Sequence, residues 1–167
     1  SLPKVGSIAP NFTLTASDLT SKSLSDYGSV KKVLNIFPSV GTGVCASSAR
    51  KFNEEAANLK NTKVICISKD LPFAHVGFCA AEGIENVEML SDYKDSNFGD
   101  DYGLLITKSA FAGLLARVVI VLDENNNYIG YLKAEDIMMF FNQTPFLKEP
   151  GGILVIEKPS VDFSMSQ

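Results

Sequence analysis

The sequence predicts an α/β domain in which helices flank a central, mixed β-sheet. Two apolar runs, at 33–37 and 63–68, are each followed by a segment of helical periodicity, and this alternation is typical of βαβ units. A third apolar run, at 118–122, leads through a polar turn cluster to 128–132, which predicts a hairpin and hence an antiparallel part of the sheet. We expect residues 1–167 to form a single domain, because a chain of this length can bury one core.

The predicted elements carry clear local signals. In the first helix, Ala49, Phe52, Ala56 and Leu59 recur at three- and four-residue steps and line one face. A proline can open the second helix, since the N–H that it lacks would be unpaired there anyway, and a glycine can close it. The predicted order is an extended segment at 10–16, turns at Asp18, Ser21 and Gly28, a strand at 33–37, a helix at 46–59, a strand at 63–68, a helix at 72–81 before Gly83, a strand at 87–90 and a helical turn at 97–102.

The last part of the chain carries fewer signals. Beyond the hairpin, the sequence predicts a helix at 134–142, a turn at 148–152 and a short apolar strand at 153–156. We assign these elements to the same domain, but residues 128–167 contain no pattern that indicates a function.

Composition and charge argue against several classes of protein. The 15 Lys and Arg residues are scattered along a chain of net charge −4, which disfavours nucleic-acid binding. No apolar run approaches the ~20 residues of a membrane-spanning helix, and the first residues show no signal-peptide core. Three cysteines are too few for a disulfide framework, so we expect a cytoplasmic, reducing location and chemically active thiols. No Cys/His spacing predicts a zinc site.

The most informative stretch joins the first predicted strand to the first helix and contains Pro38, Thr42 and Cys45. Cys45 falls at the start of the helix, where free backbone N–H groups and the helix dipole stabilise a thiolate relative to a thiol. Thr42 stands where it can cap that helix and point its hydroxyl at the sulfur. A buried structural cysteine is the alternative, but the arrangement favours a reactive one.

Longer motifs extend this stretch into a resemblance to a known family. Pro38, Thr42 and Cys45 match the peroxiredoxin signature Pro-x-x-x-Thr-x-x-Cys. The motifs are NIFPS at 35–39, TGVCA at 42–46, RKFN at 50–53, DLPFA at 70–74, FCAAEG at 78–83, DYG at 101–103 and GLLAR at 113–117. Over about residues 4–127 the chain resembles the thiol peroxidase branch of the peroxiredoxins, the atypical two-cysteine type. The resemblance implies a thioredoxin-like fold and a thiol-dependent peroxidase.

The resemblance also implies roles for individual residues. Cys45 would be the peroxidatic cysteine, Cys79 the resolving cysteine that forms an intramolecular disulfide with it, and Arg117 the arginine of the active site. The implied substrates are hydrogen peroxide and organic hydroperoxides, and the implied reductant of the disulfide is thioredoxin. A homodimer is typical of the branch, and no cofactor is implied.

Physical chemistry supports these roles independently. A thiolate alone does not make a fast peroxidase, because a more acidic thiol gives a less basic and slower nucleophile. Donors must therefore stabilise the negative charge that builds on the leaving oxygen. The expected donors are Arg117, the Thr42 hydroxyl and backbone N–H groups near Val44 and Cys45, while Pro38 would shield the sulfur from water.

A substrate pocket and a rearrangement are also expected. The apolar side chains of Val40, Val44 and Leu114 would line a pocket for alkyl chains. Cys45 and Cys79 lie in different predicted helices, whereas a disulfide needs Cα atoms within about 7 Å of each other. We therefore expect one or both helices to unwind locally during turnover.

Simpler interpretations stand beside these. Cys66 is expected to be an inert core thiol, and His75, the only histidine, a surface or capping residue. Cys79 can be a small buried hydrophobe and Arg117 the partner of a surface carboxylate. The alternative function is a non-catalytic redox sensor or binding module switched by the same disulfide. A general disulfide oxidoreductase is less favoured, because Thr42 stands where its first cysteine would be.

Overall fold

The computed structural model describes residues 4–57, 59–94 and 97–133. The strands are β1 (Thr13–Ala16), β2 (Ser21–Ser23), β3 (Lys31–Ile36), β4 (Thr62–Ser68), β5 (Glu88–Ser91), β6 (Val118–Leu122) and β7 (Tyr128–Lys133). The helices are α1 (Gly43–Ala56), α2 (Pro72–Glu82) and α3 (Asn97–Asp101), with a 3₁₀ turn at Leu24–Tyr27. The seven strands form one sheet in the order β2-β1-β5-β4-β3-β6-β7.

The centre of the sheet is parallel and its flanks are antiparallel. β3, β4 and β5 run parallel and are connected by α1 and α2, since a parallel connection must be long enough to cross the sheet. The β1–β2 hairpin joins β5, and the β6–β7 hairpin joins β3, in antiparallel pairs. Because parallel strands end at one edge, the loops that follow β3 and β4 lie side by side there.

Two hydrophobic clusters cover the two faces of the sheet, because successive residues of a strand point to opposite sides. The larger cluster contains Leu34 and Ile36 of β3 together with Phe98 and Tyr102. The smaller one, which we call the cysteine cluster, lies between the sheet and helices α1 and α2. It is formed by Phe37, Cys45, Ala49, Cys66, Ile84 and Met89, with Val40, Phe78, Cys79 and Val87 packed against it.

The position of the first helix differs from the prediction. α1 begins at Gly43 instead of residue 46 and ends at Ala56 instead of residue 59. Thr42 has extended backbone angles, φ −95° and ψ 140°, as the residue that precedes a helix does, so the helical turns start directly after it. The buried residues of α1 are therefore Cys45, Ser48, Ala49 and Phe52.

The other described elements agree with the prediction except between β1 and β3, where neither β2 nor the 3₁₀ turn at Leu24–Tyr27 was predicted. Ser21, predicted in a turn, begins β2 and pairs with Thr15, while the turn itself lies around Asp18. The elements predicted at 134–142, 148–152 and 153–156 lie outside the described residues. The single domain over residues 1–167 stays a prediction. Within the described ranges, no helix combines the length and the hydropathy needed to cross a membrane.

Candidate functional site

The loop between β3 and α1 determines where Cys45 lies. After β3 ends at Ile36, the buried residues Phe37 and Pro38 lead into a turn that closes at Thr42. Cys45 is then the third residue of α1, in the first turn, where backbone N–H groups lack partners within the helix. The dipole of α1 favours negative charge at this end, as expected for a reactive sulfur.

Arg117, which immediately precedes β6, reaches the sulfur of Cys45. Its Nη2 donates a hydrogen bond to Cys45 Sγ over 3.3 Å. The antiparallel register pairs Ile36 with Val118, so Arg117 lies beside the point where β3 leaves the sheet toward the loop. The buried Nε of Arg117 has no partner among the described residues and remains available as a donor. The guanidinium group of Arg117 therefore contacts the sulfur of Cys45. Within the described ranges, Arg117 forms no ion pair with a surface carboxylate.

Thr42 does not make the contacts predicted for its side chain. It occupies the position before α1, but its hydroxyl makes no capping hydrogen bond to the helix. Instead, the Thr42 hydroxyl donates to the carbonyl oxygen of Ser39 over 3.2 Å, and the Thr42 N–H donates to the same oxygen. The prediction of a side-chain cap is wrong because Thr42 closes the preceding turn. Its expected role as a donor to the peroxide stays a prediction.

Cys45 is completely enclosed in this conformation. Its exposed fraction is 0%, and it belongs to the cysteine cluster with Phe37 and Ala49. Since no part of the residue is open to solvent, a small molecule can reach Sγ only when neighbouring groups move. Val44, which precedes it, is 39% exposed and lies on the solvent side of the same turn.

Cys79 lies in the last turn of an intact helix. α2 runs from Pro72 to Glu82, and the Cys79 carbonyl accepts hydrogen bonds from the N–H groups of Gly83 and Ile84. The Cys79 side chain is half-buried against the cysteine cluster, and burial raises the pKa of its thiol. Cys45, Cys66 and Cys79 are all free thiols.

A surface cavity of about 360 Å³ opens beside Cys79. Its lining combines charged and apolar residues: Ala16, Ser17, Asp18, Lys22, Lys63, Cys79, Val87, Glu88 and Met89. None of Val40, Val44 and Leu114 lines it. Val40 packs against the cysteine cluster and Leu114 against the cluster on the opposite face, so the structure does not group the three predicted pocket residues. Their role in substrate binding stays a prediction.

Cys66 is a fully buried thiol in the centre of the sheet. It lies on β4 with an exposed fraction of 0%, and the Asn35 side chain donates to its sulfur over 3.5 Å. Burial raises the pKa of Cys66 to about 12, and the nearby Cys79 adds to this shift. At neutral pH Cys66 is therefore a thiol, as an inert core residue would be.

Alkylation should separate Cys66 from an ordinary cysteine. At pH 8 we expect iodoacetamide to modify Cys66 in the folded protein roughly 10³-fold more slowly than an exposed cysteine, because a thiol of pKa about 12 supplies so little thiolate. Mass spectrometry of tryptic peptides measures this rate. The unfolded protein is the control, in which all three cysteines should react alike. Rapid labelling of Cys66 in the folded protein would contradict its assignment as inert.

His75 is buried, whereas the sequence suggested a surface or capping residue. It is 0% exposed because it lies on the side of α2 that faces the sheet. Its Nε2 is 2.8 Å from Ser68 Oγ at the end of β4. Burial lowers the pKa of His75, although the carboxylate of Asp70 lies 3.9 Å from Nε2 and acts in the opposite direction.

A partly buried polar network around Asp70 was not predicted from the sequence. We call it the Asp70 network; it consists of Ser39, Ser68, Asp70 and His75 with the backbone N–H of Val40. One signal was available, since Asp70 belongs to the DLPFA motif at 70–74 and His75 precedes Cys79 by one helical turn. Charged and polar residues in a loop, however, do not reveal their partners in sequence.

Known proteins are similar to this chain in both sequence and fold. A model of the Redoxin family matches residues 4–138. The thiol peroxidase of Streptococcus sanguinis is 56% identical over 123 residues, which are 74% of this chain and 74% of that protein. The thiol peroxidase of Corynebacterium glutamicum is 54% identical over 135 residues, 81% of each chain.

A solved structure gives the same assignment from the fold. The crystal structure of a peroxiredoxin-like protein from Aquifex aeolicus matches with a TM-score of 0.76 and 34% identity, over 80% of this chain and 78% of that one. The predicted α/β, thioredoxin-like class with a mixed sheet flanked by helices is thereby confirmed. The chain therefore belongs to the Redoxin family, in the thiol peroxidase branch of the peroxiredoxins.

Proposed function

We propose that this thiol-dependent peroxidase reduces hydrogen peroxide and organic hydroperoxides through the thiolate of Cys45. The single observation that carries the proposal is the hydrogen bond from Arg117 Nη2 to Cys45 Sγ in the first turn of α1. A cation and a helix N-terminus both stabilise negative charge, and here they meet at one sulfur.

In the first step, the Cys45 thiolate attacks one oxygen of the peroxide. The S–O bond forms, the O–O bond breaks, and the second oxygen leaves as hydroxide or alkoxide that takes up a proton. In this proposal, Arg117 stabilises the charge on that leaving oxygen, because a guanidinium offers several donors in one plane. The product at Cys45 is a sulfenic acid.

In the second step, the Cys79 sulfur attacks the sulfenic acid and water leaves. A Cys45–Cys79 disulfide results, which requires Cα atoms within about 7 Å. Because Cys79 lies inside the intact helix α2 and Cys45 in the first turn of α1, we infer that part of α2 unwinds for this step.

The cycle closes when a dithiol reductant exchanges with the disulfide. We propose thioredoxin as that reductant, a cytoplasmic location and a homodimer, in agreement with the sequence analysis. The electrons then pass through thiols alone, without a bound cofactor. Three free cysteines suit a reducing compartment.

A coupled assay with the Cys79→Ser variant tests the proposed cycle. With thioredoxin, thioredoxin reductase and NADPH, we expect wild type to consume peroxide continuously. Cys79→Ser should still consume one equivalent, since Cys45 is intact, but it should not turn over with thioredoxin. The absorbance of NADPH and the peroxide remaining measure the two quantities. Wild type that stops after one equivalent would instead support the redox-sensor alternative.

A further inference from the structure

The carboxylate of Asp70 holds the loop that carries Cys45. Asp70 Oδ1 accepts a hydrogen bond from the Ser39 hydroxyl over 2.7 Å, and Oδ2 accepts from the Val40 N–H over 2.9 Å. Ser39 and Val40 immediately follow Pro38 and form the first half of the turn that closes at Thr42. Hydrogen bonds to a carboxylate are stronger than those between neutral groups, so this loop is firmly attached to the segment after β4.

The same carboxylate is connected to helix α2 through a serine. Ser68 Oγ lies 2.6 Å from Asp70 Oδ2 and 2.8 Å from His75 Nε2. An ionised carboxylate only accepts, so the single Ser68 proton goes to Asp70 and His75 must donate from Nε2. The other ring nitrogen, Nδ1, is buried without a partner among the described residues, where a bare acceptor is tolerated better than an N–H.

His75 and Cys79 are one helical turn apart on α2. Residues at this spacing share a face, and both side chains here turn toward the sheet. A second connection holds the far end of α2, where Asn53 of α1 accepts from the N–H groups of Glu85 and Asn86. That connection is exposed to water, which competes for it, whereas the bond of His75 is buried.

We propose that His75 is a positioning residue for the resolving step, which anchors α2 through Ser68 and Asp70 to the loop of Cys45 and so restrains the unwinding that releases Cys79. The proposal rests on the proposed function, because it concerns the second step of that cycle. The anchor has no contact with the peroxide, so it should leave the first step alone. The anchor therefore sets the lifetime of the sulfenic acid at Cys45 before Cys79 attacks it.

Substitutions of His75 distinguish the hydrogen bond from the space that the ring fills. The amide nitrogen of glutamine can take the place of Nε2, whereas that of asparagine stops near the position of Nδ1. We expect His75→Gln to retain wild-type kinetics within about twofold. His75→Asn and His75→Leu should accelerate disulfide formation about fivefold, the factor produced by losing one buried hydrogen bond. In all three, the rate of sulfenic acid formation should stay within about twofold of wild type.

Quenched-flow mass spectrometry separates the two rates. The reduced protein is mixed with one equivalent of hydrogen peroxide, free thiols are trapped with a maleimide, and the sulfenic acid and disulfide are followed over time. Faster resolution in the Asn and Leu variants, with rescue by Gln, supports the anchor. Equal resolution rates in wild type and the Leu variant, slower resolution, or a Gln variant that behaves like Asn would overturn it.

Amide exchange of the reduced protein tests the anchor without any peroxide chemistry. We expect residues 73–82 to exchange faster in His75→Asn and His75→Leu than in wild type and His75→Gln, while β3 and β4 exchange alike in all four. Uniform exchange across the variants would contradict the anchor. If wild type formed no sulfenic acid at all, the proposed function would fail, and exchange at 73–82 would still decide whether His75 holds α2.

Discussion

Cys45→Ser is expected to lower the rate of peroxide consumption by at least about 10⁴-fold, because a serine hydroxyl stays protonated beside Arg117 and cannot replace a thiolate. Serine is close to cysteine in size, so the packing around Phe37 and Ala49 should survive. The initial rate of NADPH oxidation in the thioredoxin-coupled assay measures the loss. Residual thiol titration against peroxide checks that Cys66 and Cys79 do not react in its place.

The matched control for this experiment is Cys66→Ala. Cys66 belongs to the same cluster and is just as deeply buried, but its sulfur contacts Asn35 and, among the described residues, no guanidinium. We expect it to keep peroxide turnover within about twofold of wild type. Equal loss of activity in the two variants would show that the cluster needs its packing and would remove the evidence for a nucleophile at Cys45.

Arg117→Lys is expected to reduce the second-order rate constant for peroxide by about 10²-fold, and Arg117→Met by more. Lysine retains the charge, but it lacks the planar set of donors that can hold the sulfur and still offer Nε to the peroxide. Stopped-flow measurement of sulfenic acid formation isolates this first step from recycling. The step between Cys45 and Cys79 should be much less affected, since no leaving oxygen of the peroxide is present there.

Arg50→Lys is the matched control, because it makes the same substitution at an arginine on the helix that carries Cys45. The side chain of Arg50 forms an ion pair with Glu82 over 3.1 Å and contacts Ser47, both near the surface. Exposed ion pairs contribute little, and lysine can form this one. We expect wild-type rates within about twofold. A large loss in Arg50→Lys with none in Arg117→Lys would reverse the assignment of the active-site arginine.

Elements with strong local signals were predictable from the sequence. α2 begins at Pro72 and ends before Gly83, whose φ of +65° is the left-handed conformation that glycine adopts most easily. β6 consists of five consecutive buried apolar residues, and β7 pairs back against it as predicted. In these segments, a proline, a glycine or an apolar run restricts the conformation of adjacent residues, so local interactions are sufficient to determine the secondary structure.

The sequence was a poorer guide where a residue has two possible partners. Thr42 has the side chain of a capping residue, yet its hydroxyl bonds to Ser39, because the turn that Asp70 holds brings the Ser39 carbonyl within reach. His75 has the side chain of a surface residue, yet the position of α2 over the sheet buries it against Ser68. The contacts of Thr42 and of His75 both depend on segments that come together only after the parallel strands have assembled.

By itself, the sequence determined the alternation of strands and helices, the position of Cys45 at the start of a helix and, through the family motifs, which side chains are candidates for the reactive groups. Only the tertiary structure decided that Arg117, 72 residues away, donates to the sulfur, and that Asp70 joins the Cys45 loop to the helix of Cys79. The reason is the range of the interactions. Helix caps, turns and periodicity act between neighbours in the chain, whereas a contact between distant side chains exists only when strand register fixes their separation.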